Sequence, residues 1–118
     1  MNYTNAYLQV EEWLNEYYDI DKPYDLGSML SDMCTRIWKP KKEGDIISGD
    51  PAIFASAWTK AWDCIVGNGS EGTSEQVFKV AKTLLDYYTN EVKYDLGDAE
   101  NYLREKLSLP VTPKTLAG

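Results

Sequence analysis

The sequence predicts an all-α fold: a compact bundle of about five helices in which two related helical hairpins flank a central helix. Three observations carry this expectation. Apolar residues recur at alternating four- and three-residue intervals over most of the chain, and proline or clustered glycine interrupts that periodicity at a few sharp points. A pattern also occurs twice, as Tyr17-Tyr18 with Tyr24-Asp25-Leu26-Gly27 and as Tyr87-Tyr88 with Tyr94-Asp95-Leu96-Gly97, offset by 70 residues. Val10 and Val80, and Leu14 and Leu84, match at the same offset, so the repeat begins inside a helix and runs through the corner after it.

The first helix is written in Tyr3, Tyr7, Val10, Leu14 and Tyr17, with Glu11, Glu12 and Glu16 placed largely elsewhere. Lys22-Pro23 ends it, because proline restricts the residue before it and has no N–H to donate. A second helix carries Leu26, Met29, Leu30, Met33 and Ile37, with Asp25 as its expected cap, and stops at Trp38-Lys39-Pro40. Residues 39–50 read as a polar connector. Asp50-Pro51 reads as an N-cap followed by proline at the first helical position, opening a third helix with Phe54, Trp58, Ala61, Trp62 and Ile65 on its core face.

Gly67 to Gly72 form a flexible loop that lacks the Gly-Lys-Ser/Thr ending of a phosphate cradle. Thr73 and Gln76 have capping-box spacing ahead of the stripe Val77, Val80, Ala81, Leu84 and Tyr87-Tyr88. After the second Tyr-Asp-Leu-Gly, with Asp95 as its cap, Ala99, Tyr102, Leu103 and Leu107 mark a shorter fifth helix that ends before Pro110. The chain thus reads as a single helical domain over residues 1–118, with approximate repeats at 3–37 and 73–107 and a loose tail at 110–118.

Composition restricts the function. An apolar fraction of 43% supports one ordinary core. Nineteen acidic against twelve basic side chains leave a net charge of −7, which disfavours nucleic acid and anionic membranes and favours a basic partner. The asymmetry is concentrated early: the first 33 residues carry seven acids against Lys22. The basic run Arg36, Lys39, Lys41 and Lys42 reads as a solvated connector. The N-terminus lacks the positive flank and apolar run of a secretion signal, and no stretch is apolar enough to span a bilayer, so a cytoplasmic location is expected.

The absence of histidine removes histidine-based acid–base chemistry, Ser-His-Asp and Cys-His arrangements, and histidine-containing zinc sites. Cys34 and Cys64 alone supply no four-cysteine site and read as mostly buried thiols. Asp25 and Asp95 would need to meet to share a proton or a metal, and helix capping already accounts for both. No enzyme activity, cofactor or metal is therefore expected. The candidate binding residues are Glu11, Glu12, Glu16 and Asp19, read as one exposed acidic face, together with the aromatic anchors Trp13 and Tyr17.

Ala6-Tyr7 through Trp13-Leu14, Glu16-Tyr17-Tyr18, the run Asp25-Leu26-Gly27-Ser28-Met29-Leu30-Ser31-Asp32, and Asp50-Pro51-Ala52 with Trp58 resemble a group of small acidic bacterial immunity proteins. These are encoded beside secreted toxins, especially in contact-dependent growth inhibition systems. The resemblance covers the first half of the chain, which departs from the shorter pattern through the Lys39 to Gly49 insertion and the C-terminal repeat. It implies a protein that neutralises a cognate basic toxin, with a nuclease well suited to the charge pattern, by covering its functional surface. The alternative reading is a noncatalytic structural or adaptor protein of a bacterial or phage assembly.

Overall fold

The computed structural model describes residues 1–33 and 57–110. Among them the chain forms five helices and no strand: α1 (Tyr3–Asp21), α2 (Tyr24–Met33), α3 (Thr59–Ile65), α4 (Ser74–Asn90) and α5 (Ala99–Lys106). The expected connector 39–50, the Asp50-Pro51 helix start, Ile37 and Trp38, Cys34, the basic run and nearly all of the tail lie outside the described residues.

Helix α1 starts where the Asn2 side chain accepts from the Asn5 N–H at 2.8 Å, satisfying one of the donors a helix start leaves unpaired. It ends where Lys22 turns left-handed, φ 49°, and returns its N–H to the Tyr18 carbonyl just before Pro23. Ala6, Tyr7, Val10, Leu14 and Tyr17 face the core. The Thr73–Gln76 capping box is fully formed, with Gln76 N–H on the Thr73 hydroxyl at 3.2 Å and Thr73 N–H on the Gln76 side chain at 2.9 Å. From it α4 buries Val77, Val80, Ala81, Leu84 and Tyr88, and also Phe78 and Leu85, which widen the apolar stripe.

The most extensive helix contact is α1 against α5, so the hairpins α1/α2 and α4/α5 pack on each other directly. Between them in the chain, α3 rests on α4, while the preceding Trp58 reaches α1. Its indole N–H donates to the Tyr3 carbonyl at 2.9 Å and its ring meets Tyr7 edge-on at 5.3 Å. Trp58 and Trp62 are both sealed in the core. The Tyr7 hydroxyl donates to the Met33 carbonyl at 2.7 Å, tying α2 to α1.

The two copies of Tyr-Asp-Leu-Gly share a sequence and differ in conformation. In the first, α2 is already helical at Tyr24, with the Leu26 N–H on the Pro23 carbonyl at 3.0 Å. Asp25 therefore sits inside the first turn and does not cap. In the second copy the chain is not yet helical: Gly97 adopts φ 62°, the Asp95 carboxylate accepts from the Gly97 N–H at 3.0 Å, and α5 begins only at Ala99. Asp95 thus closes a local turn of the Asx kind and caps no helix. Leu26 and Leu96 are nonetheless both buried.

Other expectations are corrected in the same way. Tyr87 is 52% exposed and outside the core stripe, because its neighbour Tyr88 takes the inward position, bonding Asp32 at 2.9 Å and stacking on Tyr94. Cys64 is exposed. The Gly67–Gly72 loop is tied down at its end: Gly72 N–H donates to the Met1 carbonyl at 2.8 Å, and the Gly72 backbone lies against the Trp62 ring.

Candidate functional site

The six candidate binding residues all lie on α1, and the structure divides them into an inner and an outer set. Glu11 is only 6% exposed, so it is not part of the expected acidic face. The reason is angular. Four residues before Glu11 is Tyr7, three after it is Leu14 and seven after it is Tyr18, and in a helix these positions share a side with it. Charge alone suggested exposure, whereas helical position determines it. Tyr17 is buried, and Trp13 is partly buried against the core cluster. Tyr17 is thus spent inside the fold, and Trp13 is so only in part.

Glu12, Glu16 and Asp19 are exposed. Glu12 and Asp19 are two turns apart and lie on one line along the helix, with the partly exposed Leu8 one turn before Glu12. Glu16 is drawn toward α5, where its carboxylate accepts from the Tyr102 hydroxyl at 3.2 Å and pairs with Lys106 at 3.6 Å. In the second hairpin Lys82 similarly pairs with two acids, 3.0 Å from Asp86 and 3.1 Å from Glu100. By contrast, Glu12, Asp19, Asp21 and Glu105 form no ion pair among the described residues.

Tyr17 holds the two repeats together. Its hydroxyl accepts from the Asp98 N–H at 2.6 Å, and its ring meets Tyr102 at 5.2 Å. Burial raises its phenol above the ordinary value of 10.0; the Asp98 N–H opposes that rise, and the Asp21 carboxylate adds to it. Beside it the Asp25 carboxylate accepts from the Asp95 N–H at 2.8 Å, so equivalent positions of the repeats do meet. They meet as carboxylate and backbone amide, an arrangement that satisfies a donor and leaves no shared proton. Among the described residues, no group of three or more His, Cys, Asp or Glu is placed to hold a metal ion.

Hollows lie at these corners among the described residues. A groove of about 450 Å³ between α1 and α2 is walled by Asn15, Tyr18, Tyr24 and Leu30, with Gly27 in its lining. A smaller hollow of about 240 Å³ uses the corresponding corner of the second repeat, including Tyr94 and Gly97. A cleft of about 210 Å³ between the end of α1 and α5 is lined by Ile20, Asp21, Asp98, Tyr102 and Glu105, with Tyr17 and Asn101. Ile20 and Tyr24, 66% and 84% exposed, are the two most exposed large apolar side chains among the described residues. From the sequence, Tyr24 stands out only as part of the repeated Tyr-Asp-Leu-Gly, where a packed tyrosine is expected, and Ile20 falls at a helix end where periodicity is silent.

No helix among the described residues is long and apolar enough to cross a membrane. Comparison with protein-family models, curated proteins and solved structures found no match.

Proposed function

We propose that this chain is a noncatalytic immunity protein, located in the cytoplasm, that captures a basic toxin and covers the surface the toxin needs for its activity. The observation that carries the binding part of this reading is the outer face of α1: Glu12 and Asp19 project from one line of the helix with no ion-pair partner among the described residues, in a chain of net charge −7. Such a face attracts a cationic surface from beyond contact distance, and a nuclease cleft, which must hold a polyanion, suits it well. The assignment to toxin immunity rests on the resemblance of the first half of the chain to acidic immunity proteins.

Inhibition of this kind requires no chemical step. Charge accelerates encounter, and apolar contacts made after docking set how long the complex lasts. Coexpression with a candidate cognate toxin tests the reading. The expected result is a stable complex and protected growth. A folded chain that neither binds nor protects would overturn it.

A further inference from the structure

We infer that the corner joining α1 to α2 is the contact at which a basic protein segment is anchored, with one arginine or lysine side chain of that segment entering the cleft between α1 and α5. This deepens the binding reading above and rests on it. Of the anchors expected from sequence, Tyr17 is committed to the core and to the Asp98 amide and Trp13 packs partly against the core, so further apolar contact has to come from elsewhere on the surface. Ile20 and Tyr24 supply it. Three residues separate them around a tight corner, and each forms a wall of a hollow, Ile20 of the α1–α5 cleft and Tyr24 of the α1–α2 groove.

Charge complementarity identifies the occupant. Carboxylates of Asp21, Asp98 and Glu105 line the cleft, while Ile20 and the Tyr102 ring supply apolar walls. This combination fits a long cationic side chain, whose aliphatic stem packs on apolar surface while its head reaches acidic groups. Tyr102 already attracts one such head from within the chain, with the Lys106 ammonium 5.3 Å from its ring centroid. The volume of about 210 Å³ admits one side chain and excludes a folded element.

The test uses the full chain, isotopically labelled, titrated with capped arginine (N-acetyl-arginine N-methylamide) and, separately, with the neutral citrulline compound of the same shape. Arginine is expected to give saturable NMR shifts at Ile20, Asn101 and Tyr102. Citrulline should bind roughly three- to fivefold more weakly, and so should arginine to the Asp21→Asn/Glu105→Gln variant. Ile20→Ala, a change at an exposed position, should also weaken the arginine response while leaving the rest of the spectrum in place. Equal binding of the two compounds, or shifts spread over all surface carboxylates without saturation, would overturn the cleft. If those outcomes occurred while the toxin complex still formed, the anchor would fall and the immunity reading would stand. Loss of toxin binding with an intact arginine response would do the reverse.

Discussion

Gly27 and Gly97 occupy the same place in the repeat, and the structure gives them different work. A Cβ on Gly97 would lie 2.8 Å from the Tyr17 hydroxyl, at a backbone φ of 62° that L-residues adopt only at a cost. A Cβ on Gly27 would lie 3.0 Å from the edge of the Tyr18 ring, inside an ordinary helix where alanine is preferred to glycine by about 1 kcal/mol. Gly97→Ala is therefore expected to destabilise the fold by about 2 kcal/mol, the sum of left-handed strain and displacement of the part-buried Tyr17 hydrogen bond. Gly27→Ala should cost clearly less. Urea unfolding of the two variants decides this, and equal losses would contradict the distinction. Tyr17 adds a pH dependence. Its folded pKa is raised, so its contribution to stability is complete below its ordinary value of 10.0 and is lost as pH climbs through the folded value. Alkaline unfolding of the wild type should accordingly be steeper above pH 10 than that of Tyr17→Phe, followed by circular dichroism.

Elements differed in how legible they were. Helices α1 and α4 are long, strongly periodic and punctuated by local chemistry, Lys22-Pro23 in one and Thr73 with Gln76 in the other, so their existence and core faces could be read from residue types. The ends of α2 and α5 were harder. An aspartate before Leu-Gly looks like a cap in both repeats, but capping depends on backbone angles that tertiary packing decides: Pro23 lets α2 start early, and Gly97, pressed against Tyr17 and Pro23, delays α5. Glu11 failed for a related reason, because periodicity sets its direction and its charge does not. The capping box itself is testable. Thr73→Ala should cost about 1 kcal/mol, since it removes one side-chain acceptor from the first turn of α4 and frees its Gln76 partner. A loss near zero in thermal or urea unfolding would show that tertiary contacts already hold that end.

At the scale of the whole molecule, the duplicated sequence builds hairpins that brace one another through nonequivalent contacts. Tyr17 of the first repeat binds the Asp98 amide in the second, Tyr88 of the second binds Asp32 in the first, and Asp25 binds the Asp95 amide. This bracing uses one tyrosine of each pair, Tyr17 and Tyr88, and leaves the outer line of α1 to carry charge. The central claim is that this line recruits a basic protein. The most direct test is the rate of association with the cognate toxin, measured by stopped flow across a salt series for the wild type and for Glu12→Lys/Asp19→Lys, with helical content verified in both. The account predicts that the reversal slows association about tenfold or more at low salt and that the two rates converge as salt screens the charges. Rates that are equal at every salt concentration, from two folded proteins, would contradict it.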